Sequence, residues 1–231
     1  HVSCFGGNDG AATASPSGGT PSYTYLWNNG QTTQTATGLN VGTYTLTVTD
    51  AKGCITTSLV PITQPVAALT SSIFSQTNVF CFGGNNGNAT INASGGTANY
   101  SYLWENGQTT ATVTGLSAGT YTVDITDALG CTASNSVTIT QPAAGLNNSM
   151  FPQISVSCYG GNDGAATANP SGGTAAYTFL WSNGQTTSTA TNLAAGSYTV
   201  TVIDLNGCTF IQSTTITEPI DSMTPTITVT P

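Results

Sequence analysis

The chain has 231 residues and a formal net charge of −8, with nine Asp and Glu against Lys52 alone and His1 as the only histidine. One cation cannot neutralise a row of phosphates or hold an anionic lipid surface, so nucleic acid and membrane surfaces are excluded as partners. The usual catalytic set of histidine base, lysine nucleophile and arginine clamp is nearly absent, and the chain is read as a non-enzyme.

Folding is expected nonetheless, because 38% of the residues are hydrophobic, among them three Trp, nine Tyr and seven Phe. No run approaches the roughly 18 apolar residues of a membrane-spanning helix, so direct membrane insertion is not expected. The chain opens on His1 rather than Met and without a basic-then-apolar leader. It is therefore read as a mature or excised segment, with any export signal or anchor outside it.

Shifted by 77 residues, the sequence aligns with itself from end to end without a gap, giving three copies. Cys4, Cys81 and Cys158 fall in register, as do Trp27, Trp104 and Trp181, Tyr44, Tyr121 and Tyr198, and Cys54, Cys131 and Cys208. A period this long exceeds that of a solenoid coil, so each copy is expected to be a small domain with its own core. The expected domains are 1–66, with an incomplete first strand, then 67–143 and 144–220. Residues 221–231 would form the first strand of a following repeat or subunit, because they fall in register with the segments after the first two copies.

Along the first copy, Gly6 to Gly10 and Ser17 to Thr20 read as turns. Tyr23 to Trp27 reads as a strand and Asn29-Gly30 as a hairpin turn. Leu39 to Tyr44 reads as a tyrosine corner, in which the tyrosine hydroxyl bonds back to the backbone just upstream. In Thr43 to Asp50, Tyr44, Leu46 and Val48 alternate with threonines, which buries one face and leaves the other in water. Strand A of the second and third copies is placed in Ser72 to Phe80 and Ser149 to Ser157. No segment has a helical period. The fold class is all-β: three tandem immunoglobulin-like or fibronectin-III-like sandwiches of about seven strands, forming a rod. The three tryptophans and the corner tyrosines are assigned to the core rather than to ligand stacking.

The residues Cys4 to Gly10, Ser17 to Trp27, Gly42-Thr43-Tyr44, Thr49 to Cys54 and Ile62 to Pro65, with their counterparts in the other copies, resemble the SprB repeat of giant Bacteroidota surface proteins. The resemblance implies an exported, extracellular or cell-surface protein of the kind best known from a gliding-motility adhesin, delivered by a type IX-like route.

Six cysteines, two per copy, suit an oxidising compartment. Three arrangements are open: bridges within a copy such as Cys4 to Cys54, free thiols, or a staggered pattern. Strand direction favours the last. Cys4 sits beside the A-B turn and Cys54 after the F-G turn, at opposite ends of a sandwich and roughly 20 Å apart, whereas a disulfide needs Cα atoms within about 7 Å. Staggered bridges would join Cys4 to Cys131 and Cys81 to Cys208 and leave Cys54 and Cys158 for neighbouring units. The same geometry could bring Asp9 toward Asp127 and Asn86 toward Asp204 as oxygen ligands for calcium at the junctions, although one carboxylate per side is thin for that ion. No other cofactor is expected.

The leading functional reading is a structural and adhesive stalk module of a long surface filament. Its partners would be neighbouring copies of the repeat or subunit, with surface polysaccharide or other cells as further candidates. Two alternatives stand beside it. One is a carbohydrate- or protein-binding adhesin module using the turns Trp27 to Gln31, Trp104 to Gln108 and Trp181 to Gln185; the other is a subunit that polymerises by strand addition.

Overall fold

The computed structural model describes residues 1–229. Among them the regular structure is entirely β, and the strands group by repeat. The first repeat holds β1 (Gly10–Thr13), β2 (Thr24–Trp27), β3 (Thr35–Leu39), β4 (Gly42–Thr49) and β5 (Ile55–Ile62). The second holds β6 (Thr70–Thr77), β7 (Gly87–Ser94), β8 (Ser101–Trp104), β9 (Thr112–Leu116), β10 (Gly119–Thr126) and β11 (Thr132–Ile139). The third holds β12 (Asn147–Ile154), β13 (Gly164–Ser171), β14 (Thr178–Trp181), β15 (Thr189–Leu193), β16 (Gly196–Ile203) and β17 (Thr209–Ile216).

Strand order is the same in the second and third repeats: β6-β7-β9 with β8-β10-β11, and β12-β13-β15 with β14-β16-β17. This is the A-B-E and C-F-G arrangement of an immunoglobulin-like sandwich. The first repeat has β2-β4-β5 and a two-stranded β1-β3 sheet. Spatial clustering divides the chain into two compact units. One comprises His1–Gln76, Ala89–Val113 and Thr120–Thr138; the other comprises Thr77–Asn88, Thr114–Gly119 and Ile139–Pro231.

Three details differ from the sequence reading. The complete repeats have six strands rather than seven, because the stretch after the tryptophan strand closes as a tight turn. In the third repeat Trp181 N–H donates to Gln185 O and Gly184 N–H to Trp181 O. The Gln185 side chain then pairs with Thr191, donating to its carbonyl at 2.9 Å and accepting from its amide at 3.0 Å. A glutamine amide thus takes the place that strand D would hold. The first strands also start and end earlier than expected: β6 stops at Thr77 and β12 at Ile154. Beyond them the chain crosses to the other sheet, where Val79 N–H donates to Thr140 O and Val156 N–H to Thr217 O. The tail from Asp221 to Val229 forms no strand, and its last two residues lie outside the described ones.

Alternation places the core. In β16, Val200 and Val202 are buried while their threonine neighbours stay partly in water. They pack with Trp181, which is 1% exposed and donates from Nε1 to Thr187 O at 2.9 Å. Trp27 and Trp104 repeat this with Thr33 O and Thr110 O. The tyrosine corners form as read, with Tyr44 OH donating to Asn40 O at 3.3 Å and Tyr198 OH to Ala194 O at 3.2 Å. Strands run close enough at the β13–β15 bulge that a side chain at Gly164 would come within 2.7 Å of Leu193 O.

Trp181→Ala should cost about 3–5 kcal/mol, most of what a repeat of this size holds. Urea unfolding at constant pH measures it, and Trp181→Phe should cost less while still leaving Thr187 O without its donor.

Candidate functional site

The residues with most structure built around them are the cysteines. Cys4 lies in a loop closed by Gly7 N–H donating to Cys4 O at 2.9 Å. Asp9 Oδ1 accepts Ser3 N–H at 3.0 Å, and Gln64 Oε1 accepts Gly6 N–H at 2.8 Å. The loop is thereby tied to the segment that leaves the repeat. Its counterpart around Cys81 uses Asn86 Oδ1 for Phe80 N–H and Gln141 Oε1 for Gly83 N–H at 2.7 Å. Around Cys158, Asp163 Oδ1 accepts Ser157 N–H at 3.0 Å and Glu218 accepts Gly160 N–H at 2.5 Å.

The second cysteine of each repeat is placed by a carboxylate. Asp127 Oδ1 accepts the N–H groups of Leu129 and Cys131, each at 2.9 Å, and Oδ2 accepts Thr97 N–H at 2.8 Å. Asp204 does the same for Asn206, Cys208 and Thr174, and Asp50 for Lys52, Cys54 and Thr20. An aspartate opening a tight turn and accepting amides two and four residues on is local turn chemistry. The third bond ties that turn to the loop between the second and third strands.

These loops meet within each compact unit. In the first, Cys4 and Cys131 are joined, with Cα atoms 5.6 Å apart. In the second, Cys81 and Cys208 are joined, with Cα atoms 5.7 Å apart. Cys131 Sγ also approaches Ser3 O at 3.3 Å, a packing contact, since a bridged sulfur carries no proton. Asn206 Nδ2 donates to Phe80 O at 3.0 Å beside the second bridge. Cys54 and Cys158 are exposed free thiols.

The proposed calcium ligands have other work. Asp9 and Asn86 hold their own cysteine loops, and Asp127 and Asp204 each accept three amides from within their own repeats. Among the described residues no group of three or more His, Cys, Asp or Glu is placed to share an ion. Hydrogen bonding from Ser3 holds the Asp9 carboxyl below the usual carboxylate range, as Ser157 does for Asp163. For Asp50 and Asp127 the main causes are the amides of Thr20 and Thr97. The Trp-to-Gln turns put the tryptophan inside, so a ligand there would meet asparagine, glycine and glutamine rather than an exposed indole.

The sequence reading places Gln64-Pro65, Gln141-Pro142 and Glu218-Pro219 at the junctions as stiffening dipeptides but gives the Gln and Glu side chains no hydrogen-bonding role. Their signal was present: each precedes a proline at the 77-residue period, and each can accept from a glycine amide next to the cysteine.

Fold and junctions together define a tandem array of immunoglobulin-like sandwiches joined by disulfides. The SprB repeat family model matches residues 2–32, 73–109 and 152–186, in each case from ahead of the cysteine loop to the turn after the tryptophan. SprB repeat matches thus fall in all three copies of the 77-residue period. No curated protein sequence matches it. Among solved structures it is similar to the three N-terminal domains of the bacteriophage RB49 highly immunogenic outer capsid protein, at 13% identity and a TM-score of 0.43, covering 93% of this chain and 95% of that one. It is also similar to titin domains I67–I69, at 14% identity and a TM-score of 0.38 over 92% and 93% of the two chains. The N-terminal eight Ig domains of Down Syndrome Cell Adhesion Molecule give 14% and 0.38, over 91% of this chain and 34% of that one. Likeness at this level carries no information on function.

The carboxyls of Asp50 and Asp127 are lowered in the folded state, so the stability they contribute is present above their unfolded value of about 3.9 and is lost as pH falls through the folded value. The melting temperature should hold steady from neutral pH to about 5 and fall below about 4. Asp127→Asn should lower it at neutral pH and flatten that acid limb, because an amide nitrogen cannot accept from Thr97 N–H.

Proposed function

We propose that the chain is a load-bearing stalk module of a cell-surface filament, in which each SprB repeat is covalently stapled to the next. The observation that carries this reading is the span of the bridges. Each encloses 127 residues, more than a repeat and a half, and the two loops overlap between Cys81 and Cys131. A bridge within one domain protects that domain alone. A bridge between neighbouring repeats shares tension between them.

The covalent path from one end of the chain to the other follows from these links. It enters at Cys4, crosses to Cys131, runs back to Cys81, crosses to Cys208 and leaves. About 76 residues bear tension on this path, so full unfolding extends the oxidised chain to roughly 250–270 Å, against roughly 760–830 Å when reduced. Repeats that open under load would thus stay tethered. In the chain-entropy argument a loop of this size stabilises by up to about 5 kcal/mol, which matters for domains too small for large cores. Low charge and threonine-covered strands fit a surface that faces bulk solvent, and the family and the disulfides support an extracellular setting. An adhesive role would rest on what the exposed turns contact.

Stretching single molecules by their termini tests the reading. The oxidised chain should reach about a third of the extension of the reduced one. Equal extensions, or mapping that finds Cys4 bonded to Cys54, would exclude interrepeat staples.

A further inference from the structure

Most aromatic side chains of this protein have work inside a repeat. The three tryptophans are buried, Tyr44 and Tyr198 close their corners, and the hydroxyls of Tyr23, Tyr100 and Tyr177 donate to Gly18 O, Gly95 O and Gly172 O at 2.6–2.7 Å. Two rings depart from this rule. Phe74 in β6 and Phe151 in β12 are 75% and 76% exposed, more than any other aromatic among the described residues. They stand one 77-residue period apart, so strand A of the second and third repeats presents a ring to water at the same position.

Strand alternation puts the rings there. In β6, Ser71 and Ile73 are half-buried while Ser72 and Phe74 are exposed; in β12, Asn148 and Met150 turn inward while Ser149 and Phe151 are exposed. In the third repeat Ser149 pairs with Asn169 on the neighbouring strand, and Asn169 Nδ2 donates to Phe151 O, which holds an exposed amide beside the ring. Asn92, also exposed, has the same position in the second repeat.

The chemistry of this face narrows what could cover the rings. None of the six strands in the two A-B-E sheets contains a charged residue. An acidic glycan or a basic peptide would therefore find no complementary charge on them. A protein partner needs roughly 800 Å² per side, whereas one aromatic ring among amides and hydroxyls offers at most about 150–250 Å². A neutral pyranose meets both limits. Its C–H face matches a phenyl ring in size, and the electron-rich face of the phenyl attracts C–H groups polarised by neighbouring oxygens. Its hydroxyls can donate to and accept from the amides and hydroxyls at the edge of the ring.

We propose that the outer face of the A-B-E sheet is a binding site for neutral polysaccharide, in which a pyranose stacks on Phe74 beside Asn92 and, in the next repeat, on Phe151 beside Asn169. Each site alone is weak, since one ring contact and a few hydrogen bonds exchanged with water contribute little. A polymer of identical sugars gains by engaging more than one site. The site lies on a sheet and not on the Trp-to-Gln turns, whose indoles are inside. It involves no cysteine, so it stands or falls separately from the stapled-repeat reading.

Native gels cast in turn with dextran, mannan and laminarin test this with the 231-residue chain, whose net charge of −8 carries it toward the anode. At least one of these neutral polysaccharides should retard the wild-type chain. In that gel F74A/F151A should lose about tenfold or more in apparent affinity, and each single variant should fall between the two. F74Y/F151Y keeps the ring and should keep binding, whereas F74L/F151L keeps apolar area without a ring and should not. Both positions are exposed, so circular dichroism and melting temperature should match the wild type throughout. A wild-type chain that none of the three gels retards overturns the proposal, as does a leucine variant held as firmly as wild type. Sedimentation at rising concentration supplies the remaining outcome: a wild-type dimer that F74A/F151A abolishes would make these rings a contact between copies and overturn it too.

Discussion

One carboxylate in the turn before the last strand of each repeat accepts three backbone amides at once, and the junctions depend on it. Two of these bonds, from residues two and four positions on, set the turn and the amide of the cysteine; the third ties the turn to a loop thirty residues earlier. The cysteine is therefore presented in one position before any bridge forms. In the second and third repeats this carboxylate is 5% exposed, whereas Asp50 is half-buried. A chain with a single lysine cannot satisfy buried acids with ion pairs, so backbone amides take that role.

The same scarcity of charge shapes the rest of the surface. Threonines face each other across neighbouring strands and bond through their hydroxyls, Thr13 with Thr35, Thr90 with Thr112 and Thr167 with Thr189, each at 2.9–3.0 Å. Such pairs support a sheet by fractions of a kilocalorie per mole and need no cation. The cores are small, each centred on one tryptophan whose indole N–H is bonded inside the repeat. Domains of this size gain much from covalent links, and links between neighbours also set the order in which tension is carried.

Much of this was legible beforehand because it is local or periodic. Alternation in Thr43 to Asp50 read correctly as a half-buried strand, and Leu39 to Tyr44 as a tyrosine corner, since both depend on spacings of a few residues. The strand count was overestimated because a glutamine side chain can stand in for a strand, and only the bonds from Gln185 to Thr191 reveal it. The bonds that Gln64, Gln141 and Glu218 make were not foreseen for a similar reason: their partners lie 58 residues away in sequence.

The sequence by itself determined the repeat, its β character, the tryptophan-centred cores and the resemblance to the SprB repeat. These follow from a fixed period and from side chains that alternate with the pleat, which any reader of the order can see. Only the tertiary structure decided that the carboxylates of Asp127 and Asp204 hold turns, that Cys4 lies against Cys131 and Cys81 against Cys208, and that Cys54 and Cys158 stand exposed. Bridge partners 127 residues apart carry no local signature. They are chosen by how one sandwich ends against the next.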